Sequence, residues 1–407
     1  MKNNIFAPAD ILLPEGIELS NWSVIACDQF SSELDYWERV RKNVDEKPST
    51  LNMILPEAYL GNIDEEREIR KISTAMERCL KQGLFREIRD SFVYIERTLS
   101  GGGVRRGLVG AVDLEEYSFS GGKAPILASE GTVLDRLPAR IRIRRAAQLE
   151  LPHIIAFIDD KNNTVIEPLS KKADSLPLLY DFELMEGGGH IKGMRVSGCD
   201  ADDVASALYA LYEKNGTLLV MGDGNHSLAA AKVYWDELKQ HLSVAERKTH
   251  PAGKALVEIN NVYDPAINFE AIHRALFDVD PAEFTRKLTD AMPAGRDYEL
   301  RWVSRGQSGV IGISAECIGD MLTALQTFID SYVNSAGCGV DYIHDADAVI
   351  RIAQNERSLG LLLPAMDKSE LFATVLGSGV FPKKSFSVGH AKDKRYYLEC
   401  RMITIND

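Results

Sequence analysis

The spacing of hydrophobic side chains predicts alternating helices and strands along the whole chain. Val204, Leu208 and Leu211 recur at helical spacing and predict an amphipathic helix over residues 200–214. Residues 92–99 alternate between apolar and polar side chains, as a half-buried strand does. The same reasoning predicts further helices at residues 34–40, 64–82, 85–89, 227–238, 281–291, 321–333, 346–354 and 368–376, and further strands at residues 22–26, 107–113, 154–158, 217–221, 256–260, 298–303, 309–313, 358–363 and 395–402.

This intermixing of helices and strands predicts a mixed fold, α/β or α+β. A chain of 407 residues suggests two or three compact units. The pattern restarts beyond Asp280, which predicts a seam near residues 280–300. We therefore expect a core unit with insertions over residues 1–280 and a C-terminal α+β unit over residues 281–407 that completes the site.

Composition and charge narrow the classes of function. The net charge of −13 argues against broad nucleic-acid binding, which needs a basic footprint. The six cysteines are far apart, which is typical of reduced thiols in a cytosolic protein. No apolar run approaches the ~18 residues of a membrane helix, and the N-terminal residues lack the apolar core of a signal peptide. We expect a cytoplasmic protein that binds neither nucleic acid nor membranes, with a homodimer left open.

A glycine-rich turn follows the strand at residues 217–221 and precedes a helix. Gly222 and Gly224 lack a Cβ, so a phosphate can approach the backbone amides at the start of the helix, where the helix dipole favours negative charge. Gly-Asp-Gly-Asn is also a good turn for purely local reasons. From the chemistry of the residues alone, a ligand site and a structural turn both stay open.

Asp223 is the unusual residue of this turn. A carboxylate in a phosphate cradle repels its ligand unless it binds Mg²⁺ or takes a proton, so Asp223 suits a metal ligand or a general base in phosphoryl transfer. His226 adds a second titratable group.

An arginine cluster and two histidines are given structural interpretations. Arg140 and Arg144 are four residues apart, and the cluster that extends to Arg145 predicts a solvated or salt-bridged helix face. His344 and His390 have no metal partner at useful spacing and are expected to be structural or exposed. Cys27 is expected to be a buried apolar thiol.

Four segments, in order along the chain, together resemble the domain-of-unknown-function family 1015. Residues 221–230 resemble its Asp-Gly-His-His-Arg-x-x-Ala signature, and residues 129–132 with Arg136 resemble its His-Glu-x-Thr…Arg segment. Residues 272–276 resemble its Thr-His-Arg-Val-Val segment, and residues 381–385 its Met-Pro-x-Lys-Ser segment. The signature turn of that family is similar to the nucleotide-binding motif of the ParB and sulfiredoxin-like fold, which includes free serine kinases.

The resemblance implies a ParB/sulfiredoxin-like core and a nucleotide-dependent kinase that acts on a small hydroxylated metabolite, such as free serine. The implied cofactors are ATP or ADP with Mg²⁺. The family's Pro-Pro-Tyr-Asp segment corresponds to residues 27–30, which makes Asp28 a candidate carboxylate. The implied site comprises Asp28, Glu130, Asp223 and His226 as catalytic residues, Asp223 as metal ligand, and Thr132, Arg136, Gly222, Gly224, Asn225, Ser227, His273, Arg274, Lys383 and Lys384 as nucleotide ligands.

Departures from the family pattern favour an alternative. Asn225 stands where the signature has its first His, and Ser227 stands where it has Arg. A missing guanidinium removes a bidentate phosphate contact. The alternative is therefore a non-catalytic nucleotide or metabolite sensor that closes two units around its ligand. DNA binding by analogy to ParB is opposed by the negative net charge.

Overall fold

The computed structural model describes residues 5–61, 63–132 and 137–405 and confirms a mixed α/β fold. The helices are α1 (Leu19–Trp22), α2 (Leu34–Val44), α3 (Glu65–Lys81), α4 (Leu137–Ala146), α5 (Glu167–Ser170), α6 (Cys199–Asn215), α7 (Asn225–Leu238), α8 (Val244–Thr249), α9 (Pro281–Ala291), α10 (Ile318–Ala336), α11 (Ala346–Ile352) and α12 (Glu370–Gly377). The strands are β1 (Phe6–Ala7), β2 (Ala9–Pro14), β3 (Phe85–Thr98), β4 (Val104–Asp113), β5 (Tyr117–Ser118), β6 (Ile126–Leu127), β7 (Leu149–Glu150), β8 (Ile155–Ile158), β9 (Leu178–Glu183), β10 (His190–Val196), β11 (Leu219–Asp223), β12 (Lys254–Asn261), β13 (Phe269–Ala271), β14 (His273–Phe277), β15 (Ala294–Ser304), β16 (Gln307–Ile313), β17 (Gly339–Ile343), β18 (Ser358–Leu362), β19 (Phe386–Val388) and β20 (Arg401–Met402).

A large mixed sheet organises the chain. Its main path runs β5-β6-β11-β8-β12-β4-β3-β10-β9, while β1 pairs with β4 and β2 pairs with β3. Strand β8 is parallel to β12 but antiparallel to β11. The central strands are buried on both faces. Ala156 and Ile158 of β8 belong to one hydrophobic cluster, and Ile155 and Phe157 belong to another on the opposite face.

A second, five-stranded antiparallel sheet has the order β16-β15-β18-β14-β17. Helix α10 packs its apolar stripe into the hydrophobic cluster of this sheet, through residues such as Leu325 and Ile329. The same cluster contains Phe157 and Val220 of the large sheet. One continuous apolar layer therefore holds the two sheets together and fixes the end of β11 against the C-terminal half.

The C-terminal segment returns to the N-terminal part of the chain. Ala26 donates its backbone N–H to Arg395, and Tyr397 donates to Val24. Leu12 and Cys400 exchange a pair of backbone hydrogen bonds, of 2.7 and 2.9 Å. The expected strands at residues 22–26 and 395–402 are thus extended segments that pair through isolated bridges, with a regular strand only at β20.

The prediction of a helix at residues 85–89 is wrong. These residues form the first part of β3, where Phe85 pairs with Pro14 and Ile88 with Ile11 of β2. Pairing with β2 decides the conformation, because a five-residue segment has too little intrinsic helical stability to resist a neighbouring strand.

The helix expected at residues 200–214 is confirmed as α6, which ends at Gly216 with a left-handed φ of 70°. Glycine adopts that conformation without strain, so the helix stops where the sequence indicates. Among the residues that the structure describes, no helix is long and apolar enough to cross a lipid bilayer.

Candidate active site

A polar cleft opens where β11 ends and α7 begins. All six residues from Gly222 to Ser227 line it, together with Asp28, Glu130 and the loop that contains Lys383 and Lys384. The cavity has a volume of about 470 Å³, large enough for a small-molecule ligand. The strand, glycine turn and helix expected from the sequence therefore lie at the wall of the cleft.

The two glycines of the turn have different roles. A Cβ on Gly222 would lie 2.3 Å from Cε2 of Phe157, so this position is glycine because β11 packs against the Phe157 ring. Gly224 has a φ of +77° and precedes the first residue of α7, and a Cβ there would approach Ile154 at 3.0 Å. Close packing and a left-handed turn, rather than ligand access alone, explain both glycines.

Among the described residues, the first turn of α7 has no side-chain cap at Gly224, but the side chain of its first residue, Asn225, ties it to Ser129. Asn225 accepts a hydrogen bond from the backbone N–H of Ser129 and donates one to its hydroxyl, both at 3.2 Å. The helix N-terminus is thus fixed to the segment after β6, and its amide groups and dipole give the cleft a locally positive wall.

Asp223 is engaged through both carboxylate oxygens. Oδ1 accepts the backbone N–H of Gly224 at 2.8 Å, and Oδ2 lies 3.1 Å from Nζ of Lys394. The side chain of Lys394 is only 9% exposed, so this ion pair is largely shielded from solvent. A polyphosphate in the cleft would meet a paired carboxylate, whose repulsion Lys394 offsets.

Glu130 is the carboxylate best suited to accept a proton. Its backbone bridges to Phe381, with Phe381 donating to the Ser129 carbonyl at 2.7 Å and Gly131 donating to the Phe381 carbonyl at 3.1 Å. Burial raises the pKa of Glu130 from 4.5 to about 7, and the negative charge of Asp223 adds to the effect. A carboxyl with a pKa near neutrality is matched to general-base catalysis at physiological pH.

Asp28 behaves differently from Glu130. Burial opposes its ionisation, but His153, a hydrogen bond from Gln29, Lys394 and Arg140 outweigh burial and lower its pKa below the ordinary value. Asp28 is therefore a fixed negative charge in the cleft, whereas Glu130 exchanges its proton near pH 7.

Ser227 begins a hydrogen-bonded relay. Its hydroxyl lies 2.9 Å from Nε2 of His153, whose Nδ1 lies 3.1 Å from the hydroxyl of Tyr397. Burial lowers the pKa of His153, so its imidazole is neutral at pH 7. Ser227 therefore replaces the signature arginine with a short, oriented hydroxyl group.

The loop after α12 supplies positive charge. Lys383 and Lys384 are exposed and line the cleft, and Lys384 has a left-handed φ of 61°. A non-glycine residue in this region is strained, and such strain is often found at functional sites. His344 also lines the cleft, and burial together with Lys384 and Lys394 lowers its pKa.

The cleft brings together most of the residues expected from the sequence. The lining includes Asp28, Glu130, Gly222, Asp223, Gly224, Asn225, His226, Ser227, Lys383 and Lys384. Thr132 is not part of the lining, and its buried hydroxyl has no hydrogen-bond partner among the described residues. Arg136 lies outside the described residues.

His273 and Arg274 lie in β14 and do not line the cleft. Arg274 is 1% exposed, donates hydrogen bonds to the Ile272 carbonyl and to Gln326, and has its guanidinium 4.5 Å from the ring centroid of Tyr342. His273 accepts the backbone N–H of Leu363. The polar groups of both side chains are bonded to residues around the five-stranded sheet, so we leave them out of the proposed site.

Several lining residues had no sequence signal. Lys394 lines the cleft from a distant segment that carries no motif, and His153, also without a motif, contacts the lining residue Ser227. His344 and His390, expected to be structural or exposed, both line the cleft, and His390 pairs with Glu270 at 3.1 Å. The arginine cluster is salt-bridged as expected, through the pairs Arg140–Glu57, Arg142–Glu65, Arg144–Glu150 and Arg145–Glu237.

The donor set for a metal is small. In residues 5–61, 63–132 and 137–405, no group of three or more His, Cys, Asp or Glu side chains is arranged to hold a metal ion. Mg²⁺ in nucleotide-dependent enzymes is commonly held by one or two carboxylates together with substrate phosphates. Asp223 fits that mode, and Mg²⁺ binding stays a prediction.

Comparisons with known proteins give a family and weak structural likenesses. The family described as "Protein of unknown function (DUF1015)" matches residues 11–385, and no curated protein matches the chain. A mutant free serine kinase in complex with AMP is 12% identical at a TM-score of 0.39, covering 72% of this chain and 91% of its own. SbnI from Staphylococcus aureus, with a C-terminal truncation, is 9% identical at a TM-score of 0.37, and the match covers 69% of this chain and 82% of SbnI. A conserved hypothetical protein from Pyrococcus furiosus is 12% identical at a TM-score of 0.34, and the match covers 71% of this chain and 90% of that protein.

Proposed function

The chain belongs to the DUF1015 family of proteins of unknown function, and we propose that it is a nucleotide-dependent kinase that phosphorylates the hydroxyl group of a small metabolite. The TM-scores of the solved structures are too low to carry this argument, so it rests on the cleft. The observation that carries it is the position of Glu130, a carboxyl with a pKa of about 7, in the same cleft as the N-terminus of α7.

The N-terminus of α7 is the phosphate site in this proposal. Its amides and dipole attract a phosphate, and Lys394 and Lys384 add two positive charges to the same cavity. Phosphoryl transfer depends mainly on positioning and on neutralising charge on the phosphate oxygens. The cleft supplies both without any covalent intermediate.

Glu130 is the general base. The acceptor hydroxyl attacks the terminal phosphorus, a new P–O bond forms, and the bond to the leaving nucleotide oxygen breaks. Glu130 takes the proton of the hydroxyl, which requires the ionised carboxylate and so a pH near or above 7. ATP gives ADP in this reaction, and ADP gives AMP.

Asp223 would hold Mg²⁺ together with the nucleotide phosphates, and the ion would neutralise charge on the phosphoryl oxygens. Asp28, held ionised, suits binding of a cationic group such as the ammonium of an amino acid. Free serine, with one hydroxyl and one ammonium, satisfies both carboxylates and is the first acceptor to test. We also propose that residues 281–407 complete the site, since Lys383, Lys384 and Lys394 all come from that part.

The test is a turnover assay with the full chain, Mg²⁺, ATP or ADP, and a panel of hydroxylated amino acids, followed by ³¹P NMR. We expect a new phosphate monoester that Glu130→Gln abolishes while nucleotide binding remains. The rate should fall on the acid side of an apparent pKa near 7. Nucleotide binding without any monoester would instead support the sensor alternative, which the serine at position 227 favours.

A further inference from the structure

An apolar pocket opens beside the cleft, between α4, α7 and the N-terminal part of the chain. Its volume is about 150 Å³. Aliphatic and thioether side chains form most of its wall, including Met53, Leu60, Met76, Ile143 and Leu151. A cavity of about this size lined by apolar side chains accommodates a molecule as large as benzene.

The charged residues around this pocket are already paired within the protein. Arg140 pairs with Glu57, and Arg144 pairs with Glu150 at 2.8 Å. Burial raises the pKa of Cys27 to about 11, so its thiol is neutral. The pocket therefore offers an occupant mainly carbon and sulfur surface, and it has no charge of its own to place on a ligand.

The pocket and the cleft adjoin. Glu57, Arg140 and Ser227 line both. Ser227 lies in the first turn of α7, where the proposed phosphate site is, and Ala230, one turn further along the same face, lies in the pocket wall. A ligand with its phosphates at the helix N-terminus would therefore have the pocket next to it, on the far side of Ser227.

The residues proposed to contact the acceptor, Asp28 and Glu130, do not line the pocket. Glu130, Lys384 and His344 line the cleft but not the pocket. Glu130 instead accepts the backbone N–H of Ser385 at 3.4 Å, in the loop that carries Lys384. In-line transfer places the acceptor hydroxyl and the leaving nucleotide on opposite sides of the phosphorus, so the nucleoside end belongs on the pocket side.

We propose that this pocket receives the base of a nucleoside di- or triphosphate whose phosphates lie at the N-terminus of α7. The inference rests on the proposed function and deepens it, because it assigns the two halves of the nucleotide to two adjoining sites. A flat heteroaromatic ring gains contact with the methionine and aliphatic side chains, and the adjoining cleft supplies the charge that its phosphates need.

Calorimetric titration of the full chain with ADP and with inorganic pyrophosphate, both with Mg²⁺, distinguishes the affinity that the nucleoside contributes from the affinity that the phosphates contribute. We expect ADP to bind at least about tenfold more tightly than pyrophosphate, because only ADP occupies the pocket. The variant Ala139→Phe adds a ring at a half-buried position of α4 in the pocket wall. Ala139→Phe should remove the tighter binding of ADP and leave the affinity for pyrophosphate unchanged. Ile143→Phe provides a second filling variant if Ala139→Phe does not fold.

The matched control is Ala146→Phe, which adds the same ring to α4 at a half-buried position outside the pocket lining and should change neither affinity. Equal affinity for ADP and pyrophosphate in the unmodified chain would overturn the pocket assignment but leave the phosphate site standing. Ala139→Phe that weakens only the acceptor's apparent affinity would also overturn it, since the pocket would then hold the acceptor. Failure to bind either ligand would overturn the proposed function as well.

Discussion

Lys394 and Asp223 form an ion pair between the C-terminal segment and the end of β11, with Nζ 3.1 Å from Oδ2. This pair places a shielded cation at the proposed phosphate site. The variant Lys394→Met should weaken ADP binding roughly tenfold, because it removes one charge-assisted phosphate contact. Calorimetry with ADP and Mg²⁺ measures the change.

Lys392 provides the control for that variant. It lies in the same segment, is exposed and does not line the cleft, so Lys392→Met should bind ADP normally. The double variant Asp223→Asn with Lys394→Met should regain stability lost by Lys394→Met alone, because the unpaired carboxylate is gone. Unchanged ADP affinity in Lys394→Met would contradict a role for this lysine in phosphate binding.

The raised pKa of Glu130 predicts how stability depends on pH. Between pH 4.5 and about 7 the folded protein holds a proton that the unfolded chain has lost. The free energy of unfolding therefore falls as pH rises through this window, and the loss persists above it. Glu130→Gln has no ionisable group there and should be more stable than the unmodified protein at pH 8, by up to about 3 kcal/mol, with little difference at pH 4.

Urea denaturation of both proteins from pH 4 to 8 tests this dependence. Glu299→Gln, at an exposed position of β15, controls for the general loss of one negative charge. If the Glu130→Gln and unmodified curves run parallel across the whole range, the carboxyl titrates normally and its assignment as a base with a pKa of about 7 fails.

Gly222 should be intolerant of any side chain for a packing reason. A Cβ would lie 2.3 Å from the Phe157 ring, so Gly222→Ala should lower the free energy of unfolding by about 1–3 kcal/mol. Gly101→Ala, where a Cβ meets nothing within 4 Å, should cost much less. Combining Gly222→Ala with Phe157→Leu should recover part of the loss in urea denaturation. No recovery would show that the ring is not the obstacle.

Arg395 holds the segment that carries Lys394. It donates to Glu258 at 2.9 Å, to Glu399 at 2.8 Å and to the Pro152 carbonyl at 2.7 Å, and it is 3% exposed. Arg395→Met leaves two buried carboxylates without this partner and should cost about 3–5 kcal/mol. The exposed Arg301 provides the control, and Arg301→Met should stay within about 0.5 kcal/mol in thermal or urea unfolding. A comparably small cost at Arg395 would show that neighbouring groups compensate for its loss.

The part of the site that could be predicted from the sequence is the part built by consecutive residues. A strand, a glycine turn and a helix follow each other directly at residues 219–238, so local pattern and local chemistry located them. Local pattern did not reveal why Gly222 is glycine, because Phe157 comes from another strand. Nor did it reveal Lys394 or His153, whose positions depend on pairings between distant segments.

The predictions for Arg274 and for residues 85–89 differ from the structure for physical reasons. The family resemblance implied that Arg274 binds nucleotide, but Gln326, the Ile272 carbonyl and the Tyr342 ring satisfy its side chain inside the protein. Residues 85–89 were expected to be helical from the spacing of their hydrophobic side chains, and pairing with β2 overrides that weak preference. The ParB-like core, the cytoplasmic location and the oligomeric state stay predictions.

The return of residues 394–400 to the first strands has a consequence for biosynthesis. The ribosome makes these residues after every segment with which they pair, including Leu12, Val24 and Ala26. A nascent chain can form much of the large sheet early, yet it lacks the lysine that neutralises Asp223 until translation has passed residue 394. The complete lining of the cleft therefore forms only late in synthesis, after translation has passed residue 394.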